Sequence, residues 1–198
     1  MTRRYDAARL RAALVPLALD GFVRIFPRRY AHRPLGVGPG SSRFADPAAG
    51  YAVLYAGESV AEALRETLLR DAVSAAPRRT LPRFFIEQSV LTRITTTEPL
   101  PMIDLRRDGV LRARVPTAVV RDRRHAAGQA LSRFVHAEIE EAAGFVYDSR
   151  FTASPCVAVF DRALDRVRAS EAIALEEVDD VHATLADHDV VLEGRGDG

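Results

Sequence analysis

Strand-like and helical apolar patterns follow one another along this chain without a regular rhythm. Strand composition marks residues 22–26, 51–56, 83–94, 102–105, 144–147 and 157–160. Helical spacing marks residues 7–19, which Pro16 interrupts, 60 to about 71, and 127–142. Ser59 is placed to cap the second of these helices. The tail at 179–192 adds a helix and an edge strand. A doubly wound parallel sheet requires regular alternation of strand and helix, so the pattern predicts a compact α+β domain instead.

The length and composition fit a soluble globular protein of one ordinary domain. The chain has 198 residues, of which 47% are hydrophobic and 28% are charged. Its apolar runs are far too short to cross a bilayer, and its first residues lack the apolar stretch of a secretory signal. We therefore expect a cytoplasmic protein that makes no membrane contact.

The charge balance argues against a dedicated nucleic-acid-binding surface. Arginine supplies all 28 basic residues, and 27 acidic residues leave a net charge of +1. Arginine clusters such as the one at 121–124 are then better explained as solvated loops, and we expect no direct nucleic-acid binding. The single cysteine, Cys156, excludes an internal disulfide, and its strand-like surroundings indicate a small buried side chain.

Several common catalytic and metal-binding motifs are absent from the sequence. There is no His-Glu-x-x-His motif, no paired Cys-x-x-Cys, no P-loop and no Gly-x-Ser-x-Gly nucleophile turn. The five histidines have no metal-ligand spacing, and the glycine-rich stretch at 36–40 does not fit a dinucleotide-binding loop between a strand and a helix. The sequence therefore predicts neither a metal nor a bound cofactor.

Three short motifs stand in a fixed order along the chain. The first joins a Phe-Val-Arg-Ile run at 22–25 to a glycine loop that ends in Gly-Ser-Ser-Arg-Phe at 40–44. The second joins Val-Leu-Tyr-Ala-Gly-Glu-Ser at 53–59 to Ala-Leu-Arg-Glu-Thr at 63–67. The third joins Gly-Phe-Val-Tyr-Asp-Ser-Arg at 144–150 to Cys-Val-Ala-Val-Phe at 156–160.

In this order and spacing, the motifs resemble the RES domain, which is named for an arginine, a glutamate and a serine. The resemblance covers residues 21–162. It implies a fold similar to that of the ADP-ribosyltransferase toxins and a reaction that consumes NAD, either by splitting off nicotinamide or by transferring ADP-ribose to a protein. It also implies a partner, because these toxins typically pair with an Xre-like helix-turn-helix antitoxin that occludes the active site.

The resemblance implies roles for five residues. The arginines of the family fall on Arg24 and Arg43, which would clamp the pyrophosphate of NAD, because guanidinium groups bind phosphate oxygens bidentately. Tyr55 would stack on the nicotinamide ring. Glu66 would stabilise the positive charge that develops on the ribose as the bond to nicotinamide breaks. Ser149 would orient the nicotinamide amide or the ribose by hydrogen bonds and would not act as a nucleophile.

Glu66 and Arg24 also have ordinary structural interpretations. At about 100° per residue, Glu66 points roughly 160° away from Leu64 and Leu68, which places it toward solvent. Its catalytic role then requires that this outward face, which Glu62 shares as the reserve candidate, lines a cleft. Arg24 lies inside an apolar strand, where a charge needs either a partner or a ligand.

The other three candidates depend on the resemblance. Arg43 is an ordinary loop residue by position alone, and Tyr55 in a strand is more often a core residue than a substrate contact. Ser149 serves equally well as a turn residue that holds its neighbours Asp148 and Arg150.

The sequence thus predicts the toxin of a toxin–antitoxin pair, acting as an NAD glycohydrolase or phosphorylase. We expect an N-terminal helical extension at 1–20, a RES-like catalytic domain at 21–165, and a C-terminal extension at 166–198 packed on the same domain. A protein ADP-ribosyltransferase and a catalytically silent partner of a DNA-binding antitoxin stay open as alternatives. The terminal extensions leave antitoxin contacts or a homodimer open as well.

Overall fold

The computed structural model of the chain describes residues 5–38, 40–69, 79–122, 124–149 and 152–194. The helices are α1 (Ala7–Ala12), α2 (Val60–Leu64), α3 (Arg83–Glu87), α4 (Gly109–Arg112), α5 (Ala118–Arg121), α6 (Ala126–Glu138) and α7 (Asp179–Asp187). The strands are β1 (Leu14–Leu17), β2 (Asp20–Pro27), β3 (Val53–Gly57), β4 (Arg79–Pro82), β5 (Ser89–Thr96), β6 (Leu100–Asp104), β7 (Gly144–Asp148), β8 (Pro155–Phe160), β9 (Val167–Ala169), β10 (Ile173–Ala174) and β11 (Val190–Glu193). Short 3-10 turns occupy Arg28–Tyr30, Asp161–Arg166 and Leu175–Glu177, and a π-helical turn at Arg65–Leu69 continues α2. Within these ranges, no helix combines the length and the apolar character that crossing a membrane requires.

The described residues form two compact units that are interleaved along the chain. The first unit takes its residues from 1–20, 35–55 and 95–168, and the second from 21–34, 56–94 and 169–198. Both units contain helices and strands, and this mixture agrees with the predicted α+β class. The predicted domain boundaries after residues 20 and 165 stay a prediction.

The first unit is built on strands in the order β1-β6-β7-β8. β1 pairs antiparallel with β6, β6 pairs parallel with β7, and β7 pairs antiparallel with β8. Cys156 is buried in β8, as predicted. Helix α6 packs Leu131 into the same core as Phe145, and Phe44 stacks on Phe145 with ring centroids 4.5 Å apart. This stacking anchors the loop that carries Arg43 to the sheet.

The second unit places β2 next to β5, which pairs antiparallel with β10. β2 also pairs with the end of β3, where Val23 is the partner of Gly57. The parallel strands β4 and β11 belong to this unit as a separate pair. Its core joins Val23 and Ile25 of β2 to Leu64 of α2 and Leu185 of α7. The strand that carries Arg24 and the helix that leads to Glu66 therefore pack on the same apolar core.

The N-terminal segment is helical over a shorter stretch than the sequence predicts. The predicted helix covers residues 7–19, but α1 ends at Ala12 and Leu14–Leu17 forms β1. Pro16 lacks the N–H that a helix interior needs, and β1 stands at the end of the strand order, where proline is tolerated. The prediction of a helical extension at 1–20 is therefore wrong over β1.

The strand predicted within residues 83–94 covers only the later part of that stretch. Arg83–Glu87 is helix α3, and β5 begins only at Ser89. The apolar run at 84–86 does not alternate with polar residues, and such short runs fit a helix as well as a strand. The other predicted strands and the helix of α6 are confirmed, with shifts of a few residues at their ends. The predicted end of the second helix at about residue 71 lies outside the described residues.

Candidate functional site

Arg24 is a half-buried charge in the middle of β2. Its neighbours Val23 and Ile25 are buried in the core of the second unit, and side chains alternate along a strand, so Arg24 lies on the opposite face of β2. There its guanidinium carbon is 5.4 Å from the ring centroid of Phe26. Burial lowers the pKa of Arg24 to about 10, so the side chain stays charged at neutral pH. A desolvated guanidinium of this kind is suited to an anionic ligand.

Helix α2 begins at a tight junction with β3. Ser59 caps the helix as predicted, and its side-chain oxygen accepts a hydrogen bond of 3.2 Å from the N–H of Glu62. A Cβ on Gly57 would lie 2.9 Å from the backbone nitrogen of Ala63, so a side chain does not fit where the strand meets the helix. Because Gly57 is the strand partner of Val23, the start of α2 lies close to the strand that carries Arg24.

The helix that carries Glu66 changes its geometry after Leu64. Arg65–Leu69 forms a π-helical turn, so the buried positions are Leu64 and Leu69, while Leu68 is only partly buried. The predicted buried positions Leu64 and Leu68 both contact the core of the second unit, and the π-helical turn adds Leu69 as a second buried leucine. Short π-helical turns occur frequently at functional sites, because they redirect side chains without ending the helix.

Glu62 and Glu66 bring two carboxylates together on this helix. An oxygen of one side chain lies within 4.8 Å of an oxygen of the other. Glu62 is fully buried, with 0% of its surface exposed, and Glu66 is half-buried. The short distance confirms that the two residues share a face, but the prediction that this face points toward solvent is wrong for Glu62.

Arg65 connects this carboxylate pair to the C-terminal end of α7. Its Nη1 lies 3.5 Å from Oε2 of Glu62, and its Nε donates a hydrogen bond of 2.9 Å to Nε2 of His188. The backbone oxygen of His188 accepts a further bond of 3.4 Å from Nη1 of Arg79. Sequence reasoning missed Arg65 and His188. The i, i+3 spacing of Glu62 and Arg65 is a signal that was available, whereas His188 lies 123 residues away from Arg65.

Tyr55 supports the loop that carries Arg43. The tyrosine hydroxyl accepts a hydrogen bond of 2.7 Å from Oγ of Ser42 and one of 2.9 Å from the N–H of Phe44. Burial raises the pKa of Tyr55 to about 12, so the hydroxyl is neutral at physiological pH. These bonds give Tyr55 a positioning role, and its stacking on nicotinamide stays a prediction.

Arg43 is bound to the neighbouring helix α5. Its Nη1 donates to the backbone oxygens of Val119 at 3.3 Å and Asp122 at 3.0 Å, at the C-terminal end of that helix. A Cβ on Gly128 of α6 would collide with the backbone oxygen of Arg43, so α6 lies directly against this residue. The contacts fix the position of Arg43, and its contact with a phosphate stays a prediction.

Ser149 lies directly after β7, where the chain turns toward β8. Its N–H donates to the backbone oxygen of Ser154 at 2.9 Å, and only 5% of its surface is exposed. Asp148, just before it, accepts a bond of 2.7 Å from the N–H of Arg107. These contacts support the interpretation of Ser149 as a turn residue, and its contact with the substrate stays a prediction. Arg150 lies outside the described residues.

The structure places the candidate residues in two groups. Arg24, Glu62 and Glu66 belong to the second unit, whereas Arg43, Tyr55 and Ser149 belong to the first. In the second unit, the two glutamates lie side by side on a helix that begins beside the strand of Arg24. In the first unit, the hydroxyl of Tyr55 binds the residues on both sides of Arg43.

Comparison with known proteins identifies the domain. The family model described as the RES domain matches residues 22–185. A curated relative, the probable toxin y4kH of Sinorhizobium fredii (strain NBRC 101917 / NGR234), is 35% identical over 94 residues, which are 48% of this chain and 74% of that protein. The chain also superposes on a chain in the crystal structure of the M. tuberculosis MbcT–MbcA toxin–antitoxin complex, with a TM-score of 0.68 and 15% identity, covering 89% of this chain and 96% of that one.

These matches confirm the predicted resemblance to the RES domain and the predicted fold class. The structural match shows that this chain, with its mixed helices and strands, shares its fold with a chain of that complex. The family match also extends beyond residue 162, where the sequence resemblance ends, and reaches residue 185 in α7. Leu175, Val181 and Leu185 from this stretch pack into the same core as Val23.

Proposed function

Because the chain belongs to the RES domain family, we propose that it is the toxin of a toxin–antitoxin pair and that it cleaves the nicotinamide–ribose bond of NAD. The observation that carries the proposal is the pair of carboxylates on Glu62 and Glu66, whose oxygens lie within 4.8 Å of one another on a partly buried helix. NAD is the substrate, and the proposed reaction needs neither a metal nor a bound cofactor.

Glu66 supplies the negative charge in the proposed reaction. When the bond between the ribose carbon and the nicotinamide nitrogen breaks, the electron pair stays on nitrogen and positive charge develops on the ribose. Neutral nicotinamide leaves, an oxygen of water or phosphate forms the new bond to the ribose carbon, and a water acceptor gives up one proton. A half-buried carboxylate against the ribose stabilises this transition state, because low surrounding polarity strengthens the attraction.

Glu62 and Arg65 do not contact the substrate in this proposal, and their role is to position Glu66. Glu62 is fully buried, and its contact with Arg65 at 3.5 Å offsets the repulsion between the two carboxylates. The guanidinium of Arg65 is itself oriented by His188. This arrangement holds the π-helical turn, and with it Glu66, in one geometry.

Arg24 binds the pyrophosphate in this proposal. Its guanidinium stays charged at neutral pH although burial lowers its pKa to about 10. A guanidinium with little water around it attracts a phosphate oxygen more strongly than an exposed one does. For Arg43, Tyr55 and Ser149 in the first unit, the family resemblance implies a phosphate contact, stacking on nicotinamide and an orienting hydrogen bond, and these roles stay predictions.

We further propose an Xre-like helix-turn-helix antitoxin as the protein partner. The structural match to one chain of a toxin–antitoxin complex supports an antitoxin as partner, and the Xre-like type is what the family resemblance implies. A cytoplasmic location is consistent with NAD as the substrate. A homodimer and the identity of the acceptor are left to experiment.

The release of nicotinamide from NAD tests the proposal directly. The purified, antitoxin-free chain is assayed with and without phosphate, beside Glu66→Gln and the matched control Glu58→Gln. Glu58 is exposed and lies just before α2, so its substitution changes the same charge outside the carboxylate pair. We expect Glu66→Gln to reduce the rate by roughly 10²–10³-fold, and Glu58→Gln to behave like the parent.

The outcomes separate the competing functions. A rate that rises with phosphate identifies a phosphorylase, and an unchanged rate identifies hydrolysis by water. Nicotinamide release that leaves ADP-ribose covalently attached to a protein identifies a protein ADP-ribosyltransferase. A folded parent that releases no nicotinamide and labels no protein overturns the enzymatic proposal and favours a catalytically silent partner of a DNA-binding antitoxin.

A further inference from the structure

A pocket of about 310 Å³ lies at the end of β2 in the second unit. We call it the aromatic pocket. Its walls include Phe26 and Arg29 near the end of β2, Leu68 from the π-helical turn, and Phe84 and Phe85 from α3. Its lining in the described part of the chain contains none of the residues that we assign to NAD. It is therefore a feature that the proposed reaction leaves unexplained.

Large aromatic side chains around the aromatic pocket are unusually exposed. The exposed fraction is 55% for Phe84, 46% for Phe85 and 49% for Tyr30. Clusters of exposed apolar side chains are disfavoured on monomeric soluble proteins, and aromatic residues are enriched at protein interfaces. The exposure of three aromatic residues in adjoining segments indicates a contact surface.

Hydrogen bonds between neighbouring segments hold the aromatic pocket in shape. The N–H of Arg28 donates to the backbone oxygen of Gln88 at 2.7 Å, and Oγ of Ser89 donates to the backbone oxygen of Phe85 at 2.7 Å. Nη2 of Arg28 also forms an ion pair of 2.9 Å with Glu176. A pre-formed pocket pays less conformational entropy when it binds than a flexible surface does.

The rim of the aromatic pocket is basic. Residues 27–34 contain three arginines and a histidine but no acidic residue, although the whole chain has a net charge of only +1. Arg29 lies over the ring of Tyr30 at 4.9 Å, and Arg83 is exposed at the start of α3. The adjoining segments also contain the acidic residues Glu87, Glu176 and Glu177, so the four arginines of these segments leave an excess of one positive charge.

We propose that the aromatic pocket docks a peptide segment of a protein partner, in which a large apolar side chain is flanked by carboxylates. The apolar side chain enters between Phe26 and Phe84, and the carboxylates pair with Arg29 and Arg83. The pocket volume is at the lower end of the range for small-molecule sites, and the exposed aromatic residues extend the contact surface beyond it. The proposal stands independently of NAD cleavage.

Fluorescence anisotropy with synthetic probes tests the proposal. The first probe is a short labelled peptide with a leucine–phenylalanine pair between aspartates and glutamates. In the second probe alanines replace the apolar pair, and in the third glutamines and asparagines replace the acids. The protein variants are Phe84→Ala and Arg29→Glu, with Leu111→Ala and Arg9→Glu as controls, since Leu111 is 69% exposed and Arg9 is exposed, both in the first unit.

We expect the first probe to bind the parent more tightly than either other probe. Phe84→Ala and Arg29→Glu each weaken this binding about tenfold or more, and Arg29→Glu also reduces its dependence on salt. The control variants bind like the parent, and circular dichroism verifies that all variants are folded. Absence of binding to the parent, equal binding by Phe84→Ala, or equal binding of the uncharged probe each overturns the proposal. Because NAD is absent from this assay, its outcome is distinct from that of the nicotinamide assay.

Discussion

Nε of Arg65 donates a hydrogen bond of 2.9 Å to Nε2 of His188, across 123 residues of sequence. The same guanidinium lies 3.5 Å from the buried carboxylate of Glu62. His188 therefore orients the arginine that faces the carboxylate pair. The bond requires an imidazole with its proton on Nδ1, because Nε2 must accept. Through this contact the end of α7, outside the segment of the sequence resemblance, supports the candidate site.

His188→Ala tests whether this contact positions the carboxylates. We expect the free energy of unfolding to fall by about 1 kcal/mol, because Arg65 loses an acceptor. We expect kcat for nicotinamide release to fall several-fold while KM for NAD stays near the parent value, because Glu66 shifts but Arg24 does not.

His188→Gln serves as the rescue variant, since an amide oxygen can accept from Arg65. His182→Ala is the matched control, because His182 is an exposed histidine of α7, the helix that ends directly before His188. A loss of stability without any change in kcat, or equal kcat losses in the two alanine variants, would show that the contact is only structural.

Local signals in the sequence predicted the parts of the fold that depend on nearby residues. The buried run at 157–160 was recognised as a strand because continuous apolar residues mark strands covered on both faces. The cap at Ser59 was recognised because serine accepts a bond from the third residue of its helix. The order of the three motifs identified the family, which no single motif did.

Features that depend on distant residues could not be predicted from the sequence. Leu14–Leu17 is a strand because β6 pairs with it, although its own composition does not distinguish strand from helix. In the π-helical turn, Leu69 is more deeply buried than Leu68, which α-helical periodicity cannot anticipate. Glu62 lies before this turn, in α2, and its complete burial is likewise a feature that local helical spacing does not reveal.

Tyr55 makes the fold lose stability at high pH. Its pKa is raised to about 12, whereas an unfolded tyrosine ionises near 10. The folded state therefore holds the proton more tightly, and this contribution is fully present below about pH 10 and lost as the pH rises through about 12. We expect the parent to lose roughly 2–3 kcal/mol more than Tyr55→Phe over this range.

Urea unfolding of both proteins at a series of pH values measures the difference. At neutral pH, Tyr55→Phe is expected to be less stable by about 1–2 kcal/mol, because Ser42 and Phe44 lose their acceptor. Contributions from other titrating groups are common to both proteins and cancel in the comparison. Parallel pH profiles for the two proteins would contradict the assignment.

Arg43→Ala separates a structural role from a binding role. The substitution removes two hydrogen bonds to the end of α5, so we expect the free energy of unfolding to fall by about 1–2 kcal/mol. We also expect NAD binding to weaken. Arg121→Ala is the control, since Arg121 is exposed on the same helix. Reduced stability with an unchanged KM for NAD would leave Arg43 with the structural role alone.

Arg24→Met distinguishes the effect of the buried charge on the stability of the fold from its effect on NAD binding. Burial lowers the pKa of Arg24 to about 10, which means that the fold holds this charge at an energetic cost. An apolar side chain of similar length avoids that cost, so we expect Arg24→Met to keep or raise the free energy of unfolding, by up to about 1–2 kcal/mol. The same substitution removes the proposed pyrophosphate contact, so we expect KM for NAD to rise about tenfold or more.

Arg24→Lys is the informative comparison, because lysine keeps the charge but cannot bind phosphate oxygens bidentately. We expect Arg24→Lys to keep only part of the parent's affinity for NAD. Because it keeps the buried charge, we expect its free energy of unfolding not to exceed that of the parent. Urea unfolding and nicotinamide release measure the two quantities on the same samples. A folded Arg24→Met protein that binds NAD like the parent, or one that loses several kcal/mol of stability, would mean that the charge serves the fold and not the ligand.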